Sequence, residues 1–294
     1  MKPVTDPRAL GQVPVQGAWI CKLDISCSCH DSFAFLDLPM KLALLSDIHA
    51  NRQAFDACMA HARAAGAERF ALLGDLVGYG GDPAYIVDQA MALAAQGHWV
   101  IRGNHDAMAV APPMPGDPGA GSVAALGAEW TQQQLTAAQL DFLDRLPLTY
   151  QKDGVLLVHA SADQPALWRY VDSPLMASQC LDAATRDPSV RHVFCGHVHM
   201  QSLYYRGTGH GLMRFTPTAG VPIPVPTHRQ WVTTVGSVGQ PRDGDARAMY
   251  ALLDTERWQL RFERVRYAFD AAAAAILATG ALPPVFAHRL EAGR

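Results

Sequence analysis

The sequence is short of charge. Only 17% of its 294 residues are Asp, Glu, Lys or Arg, and the formal net charge is −3. A surface built to grip a nucleic-acid polymer carries a basic excess, so that class of partner is excluded. Long apolar runs are also missing. No stretch of about 18 or more apolar residues occurs, so no transmembrane helix is expected. Near the start, Lys2 and Arg8 are followed by Pro14, Gln16 and Gly17, which interrupt the apolar centre that a signal peptide needs. A cytoplasmic protein with no membrane partner is the expectation. Cysteine is sparse beyond residue 29: Cys58, Cys180 and Cys195 are scattered through apolar contexts and read as reduced core residues. No repeat of solenoid or propeller period is visible.

What is present is 49% hydrophobic, enough for a sizeable core. Residues 1–39 mix Pro, Gly, Ser, Cys21, Cys27 and Cys29 without sustained periodicity. They are expected to be a disordered leader or a mis-called start. The "CSCH" at 27–30 lacks the second half of a zinc site. From residue 40 a strand–helix alternation begins. Strands are expected at 41–46, 69–73 and 98–102, with helices at 51–66 and after Pro83. Two amphipathic helices at 122–134 and 136–145 follow, with Trp130, Leu135 and Leu140 facing inward; a partial lid is their functional alternative. Strands near 147–151 and 154–159, a helix near 174–186 and a strand at 191–195 come next. Short β-like runs follow to residue 266, then a last helix at 268–280 ending at Gly280. The fold class is α/β, with two packed mixed sheets flanked by helices. The folded domain is expected over 40–285, and 286–294 as a tail.

Five successive strand ends carry metal-capable groups. They are Asp47 and His49 in "SDIH", Asp75 in "GDLVGYG", Asn104, His105 and Asp106 in "GNHD", His159 in "VHAS", and His197 and His199 in "GHVH". In an extended segment residues i and i+2 project to the same side, so Asp47 and His49 are expected to point together, as are His197 and His199. Gly74, Gly103 and Gly196 remove side-chain bulk beside the site. Nitrogen and carboxylate ligands suit Mn, Fe, Zn, Ni or Co better than Ca or Mg alone. Asp75 has two oxygens and can bridge a pair of ions, which in hydrolytic sites lie roughly 3.5–4 Å apart. Two carboxylates against two divalent cations leave surplus positive charge, which neutral Asn104 preserves. That surplus draws a phosphate ester.

Taken in order, Asp-x-His, Gly-Asp-x-x-Gly, Gly-Asn-His-Asp, Val-His and Gly-His-x-His resemble the calcineurin-like metallophosphoesterase superfamily, from residue 41 to about 265. "GDLVGYGGDP" and "VGSVGQPRDGD" are similar to a bacterial branch related to diadenosine tetraphosphatases and serine/threonine phosphatases. The resemblance implies a four-layer αββα sandwich. It implies that Asp47, His49, Asp75 and His199 hold one metal, and that Asp75, Asn104, His159 and His197 hold the second. It also implies that His105 is the general acid in hydrolysis of a phosphate mono- or diester by a water that the two ions activate. Manganese is the first expectation for the ions. One departure stands out. Many members carry an aspartate three residues after the bridging one, in support of the catalytic histidine; here that residue is Gly78, and Asp82 and Asp106 are the candidate substitutes.

Arg102 and Arg242 are candidate phosphate contacts by charge and by their place in motif-like stretches. Ser237 reads as shaping a turn. Trp168, Arg169 and Tyr170 either stack a nucleobase or pack. His61, His98, His192, His210, His228 and His288 are read as structural. The alternative function is a catalytically silent scaffold that keeps the fold, whose mark would be eroded ligands; none is missing. The His-x-His-x-Asp-His block of metallo-β-lactamase-like enzymes and the early His-x-His of amidohydrolases are absent.

Overall fold

A computed structural model describes residues 40–117, 119–207 and 211–294. The leader assigned to 1–39, its cysteines and "CSCH", and His210 lie outside the described residues.

Two six-stranded sheets organise the chain. The first contains β1 (Lys41–Leu45), β2 (Arg69–Leu72), β3 (Trp99–Val100), β9 (Ile223–Pro224), β11 (Ala248–Asp254) and β12 (Gln259–Val265), in the order β3-β2-β1-β11-β12-β9. The second contains β4 (Thr149–Lys152), β5 (Val155–Val158), β6 (His192–Cys195), β7 (Gln201–Arg206), β8 (Leu212–Phe215) and β10 (Trp231–Val235), in the order β4-β5-β6-β10-β7-β8. Both sheets are mixed. β1, β2 and β3 are parallel to one another, as are β5, β6 and β10, while β11 and β7 pair antiparallel with those sets.

The strand alternation sets the layers. In β1, Leu42 and Leu44 join Val155, Leu157, Phe194 and Phe262 in the core between the sheets. Ala43 and Leu45 face the other way, onto α1 (Arg52–Ala64) and α2 (Pro83–Ala95). In β5, Leu156 and Val158 turn outward onto α6 (Pro174–Ala184). The result is helix, sheet, sheet, helix. α1 starts where the Asn51 side chain accepts from the Ala54 amide at 3.0 Å, and it buries Ala54, Phe55, Cys58, Met59 and Ala62 as one stripe. α4 (Val123–Gln134) and α5 (Ala137–Arg145) pack against this face, with Gln139 of α5 donating to Asp88 of α2 at 2.7 Å. Leu135 belongs to the same core. Cys58, Cys180 and Cys195 are buried free thiols. Among the described residues no helix is long and apolar enough to cross a membrane.

Two expectations are corrected. The strand expected at 98–102 spans only Trp99–Val100, because beyond Ile101 the chain turns away and Arg102 N donates to the Pro147 carbonyl at 2.8 Å. The residues after it, for which the sequence gives no element, form a short helix, α3 (Asn104–Val110). The tail expected at 286–294 is mostly α8 (Val285–Ala292). Its Phe286, Ala287 and Leu290 are buried against Ala272 and Ile276 of α7 (Phe269–Ala278). An i, i+1, i+4 apolar spacing following Pro283 and Pro284 is the signal for that helix.

Candidate metal centre

Every expected ligand follows the C-terminal end of a parallel strand, where open α/β sheets leave a crevice. Asp47 and His49 follow β1, Asp75 follows β2, and Asn104 opens α3 just beyond β3. His159 follows β5; His197 and His199 follow β6. The structure brings all seven together across the two sheets.

The local geometry differs from the extended i, i+2 arrangement expected from spacing. Asp47, His49, Asp75, His197 and His199 have φ of 53°, 50°, 50°, 65° and 59°. This left-handed conformation costs roughly 1–2 kcal/mol per non-glycine residue. It persists only where the surroundings over-determine it, and they do. Asp47 N donates to Gly74 O at 3.1 Å, His49 N to Asp75 O at 2.9 Å and Ala50 N to Leu76 O at 2.9 Å. Ser237 Oγ and Gly239 N both donate to the Asp47 carbonyl, so Ser237 does brace a turn here. A Cβ on Gly196 would overlap Ser46 and the Asp47 carboxylate, and one on Gly103 would overlap Asp75. Glycine at these two positions lets neighbouring strand ends close on the ligands.

The imidazoles are oriented by backbone carbonyls. Nδ1 of His49 donates to Val77 O at 3.1 Å, that of His159 to Leu73 O at 2.8 Å, and that of His199 to Gln240 O at 2.6 Å. Metal-binding histidines are held in this way. Each carbonyl claims the Nδ1 proton, which leaves Nε2 as the atom each ring offers to a cation, a proton or a metal ion. These atoms face one another. His49 Nε2 is 3.1 Å from His199 Nε2, which is 3.2 Å from Asp47 Oδ1. His159 Nε2 is 3.2 Å from His197 Nδ1, 3.1 Å from Asn104 Oδ1 and 3.3 Å from Asp75 Oδ2. The same Asp75 oxygen is 3.8 Å from His49 Nε2, so it stands between the two groups. Bare acceptors repel at such distances unless positive charge lies among them. Ligands about 2.0–2.2 Å from one ion stand roughly 3 Å apart, so the donor set fits cations. Asp47, His49 and His199 form one group that could hold an ion, and Asp75, His159 and His197 form another.

The electrostatics agree. Burial works against ionising Asp47 and Asp75, yet the His199 and His159 imidazoles beside them hold both carboxyls below the usual range. Burial also disfavours charge on His159, but Asp75 and then Asp47 raise it to about 9. Burial and the neighbouring His159 lower His197 to about 4. The cluster therefore attracts positive charge most strongly at the His159–Asp75 contact.

His105 lies beside the ligands, its backbone amide donating to Asp75 Oδ1 at 2.8 Å. Its ring centroid is 5.0 Å from that of His49 and 4.4 Å from that of Tyr79. Burial lowers its pKa. Its Nδ1 is buried without a hydrogen-bond partner among the described residues. Neither candidate substitute for the missing aspartate supports it. Asp106 is committed to backbone amides of Leu76, Val77 and Gly103 at 2.8, 3.2 and 2.8 Å. Asp82 stands at the N-cap position of α2, on the far side of Gly80 and Gly81, and no hydrogen bond links its carboxylate to His105 among the described residues. Gly78, at φ +89°, is packed so closely that a Cβ there would stand 2.7 Å from His105 Nδ1. The support is the Tyr79 ring, a residue the sequence reading passed over although it sits inside the "GDLVGYG" stretch. The Arg242 side chain donates to Gln240 Oε1 at 3.2 Å and its backbone amide donates to His199 O at 3.3 Å, so it borders the centre. Arg102 is instead directed at the end of α5, where it pairs with Asp144 at 3.2 Å.

Residues 40–257 match the model of the calcineurin-like phosphoesterase superfamily domain. An uncharacterized protein of Methanocaldococcus jannaschii is 28% identical over 263 residues, covering 86% of this chain and 98% of that one. The crystal structure of a metallophosphoesterase from Sphaerobacter thermophilus is 29% identical, with a TM-score of 0.76, covering 87% of this chain and all of that one. A hypothetical protein from Pyrococcus horikoshii shares the fold at 19% identity and a TM-score of 0.66, covering 86% of this chain and 98% of that one.

Proposed function

Because the chain belongs to the calcineurin-like phosphoesterase superfamily, we propose that it is a metal-dependent hydrolase of phosphate mono- or diesters. The observation that carries this reading is the set of facing acceptors. His49 and His199 meet through Nε2 at 3.1 Å, and His159 meets His197, Asn104 and Asp75 at 3.1–3.3 Å. Asp47, His49 and His199 would hold one divalent ion and Asp75, Asn104, His159 and His197 a second, with the Asp75 carboxylate lying between the two groups. Manganese is the first candidate, and iron, zinc, nickel and cobalt suit the same donors. When bound, the ions supply an activated water and positive charge against the phosphate.

The chain's own groups do the rest. The carbonyls of Val77, Leu73 and Gln240 keep three imidazoles in one tautomer. Asp47 and Asp75 contribute two negative charges against four from the ions, and the remaining positive charge binds the phosphate anion. Arg242, at the edge of the centre, adds a further phosphate contact. His105 gives its proton to the leaving oxygen. Burial alone would keep that imidazole neutral, so the anionic phosphate beside it is what favours the protonated form.

The test is metal analysis together with turnover of p-nitrophenyl phosphate and its bis-ester in added manganese. Two equivalents of metal and hydrolysis of at least one ester are expected. Bound metal with no turnover of either would favour the scaffold reading. His105→Ala should keep its metal and lose about 10²–10⁴-fold in kcat; an unchanged kcat removes His105 from the chemistry.

A further inference from the structure

The segment between His159 and α6 carries two aromatic rings onto the ligand imidazoles of one side of the centre. Trp168 meets His159 edge-on, ring centroids 5.8 Å apart. Tyr170 stacks on His197 with centroids 4.1 Å apart and planes 26° from parallel. Tyr170 is nonetheless 48% exposed. One of its faces lies on the imidazole, so the exposed area belongs to the other face and the rim. The neighbouring Leu167 is 56% exposed. An aromatic ring and a leucine left open to water beside a charged crevice invite a planar apolar group.

The segment is held in place. It begins directly at the ligand His159, and Val171 at its far end is buried in the core under α6. Arg169 forms an ion pair with Asp163 that closes the loop between them. Gln164 and Trp168 are both left-handed, at φ 51°, around the single 3₁₀ turn of Pro165–Leu167. That strain turns Trp168 and Tyr170 back over the ligands. A segment shaped only to pack would bury Tyr170 as it buries Val171.

We propose that Tyr170 is a specificity-determining residue whose open face stacks the base of a nucleotide ester while the phosphate sits at the metal centre. The assignment rests on the phosphoesterase reading above. Tyr170 stacks on His197, one of the rings that could hold an ion, so its open face lies one imidazole thickness beyond that ring. A nucleotide fits that spacing.

The test is calorimetric titration of the manganese-loaded protein, in the His105→Ala background so that the esters bind without turnover, with adenosine 5′-monophosphate, ribose 5-phosphate, phenyl phosphate and inorganic phosphate. Stacking on an aromatic side chain predicts that the nucleotide binds about tenfold or more tighter than ribose 5-phosphate. Tyr170→Phe should keep that ratio and Tyr170→Ala should bring it near one. A loosened metal centre would weaken both ligands alike and leave the ratio intact, so a ratio that survives Tyr170→Ala overturns the proposal. Equal binding of the two ligands with Tyr170 intact overturns it as well. A gain for phenyl phosphate without one for the nucleotide replaces the base with a directly attached aryl group. If ribose 5-phosphate and inorganic phosphate both fail to bind, the phosphoesterase reading itself falls, which is a different result from a ratio of one.

Discussion

The two halves of the metal centre are built from the same residue types but are closed to different degrees. Around Asp47, His49 and His199 the seal is complete: none is more than 2% exposed. Both imidazoles are fixed by carbonyls, and Ser237, Gly239 and the His197 amide all donate to Asp47. Around His159 and His197 the wall is thinner. Asn104 is half-buried, His197 is 6% exposed, and Nε2 of His197 has no partner among the described residues. Its ring is backed by the exposed Tyr170 and not by backbone. The lesson is a division of labour. On the two-ion proposal, an ion in the sealed half would be held by the fold, whereas one in the open half would exchange with solvent and meet the substrate.

The largest effect should come from the one atom the halves share. Asp75→Asn keeps the shape and removes the charge that Oδ2 places between them. Both ions should be lost and turnover should fall on the order of a thousandfold or more. Retention of one full equivalent by metal analysis would show that the halves bind independently and that Asp75 does not join them.

A smaller effect would sharpen the contrast. Chelator added to manganese-loaded protein should remove metal in two phases, the open half emptying first. His197→Ala should weaken only the early phase, by about 10–100-fold in affinity, the range for disturbing the surroundings of a ligand or more. His199→Ala should instead disturb the late phase. A single phase carrying both equivalents would erase the distinction between the halves.

Much of this centre is legible in the sequence because short motifs behind apolar strands fix both residue type and location. "GDLVG" and "GHVH" each follow a short unbroken apolar run of the length and kind that a strand buried on both faces shows. The conformation at those motifs was not legible. Spacing of i and i+2 suggested extended backbone, but five ligands are left-handed, imposed by hydrogen bonds between strand ends distant in sequence. α3 was hidden because its cap is the Asp106 side chain returning to Gly103 N, in a segment that reads as a motif and not as a helix. α8 was hidden by its length: eight residues between prolines and the chain end give little periodicity. The support of His105 could not be read at all. Tyr79 reaches that ring through its own left-handed φ of 64°, which no local pattern announces.

The smallest effect concerns a histidine at the opposite end of β6 from the ligands. His192 is as buried as His159, and its Nε2 donates to Val225 O at 2.8 Å with its ring on Trp258. Burial, aided by Arg191, lowers its pKa to about 4, whereas two carboxylates raise that of His159 to about 9. The difference lies in the neighbours and not in the depth. In the unfolded chain an imidazole titrates near 6.5. Between about pH 6.5 and pH 4 the unfolded state therefore binds more protons at this site, and stability falls as pH drops. Above pH 6.5 the contribution is constant. His192→Gln can keep a donor to Val225 but has nothing to protonate. From pH 7 to pH 5 the unaltered protein should lose about 1–2 kcal/mol more than the variant, a Tm difference of a few degrees. Every other titrating group is common to both proteins, so the difference between their two pH profiles isolates His192. A constant offset across that range would mean that this imidazole titrates alike in the folded and unfolded states, and the contrast with His159 could no longer be assigned to the groups around each ring.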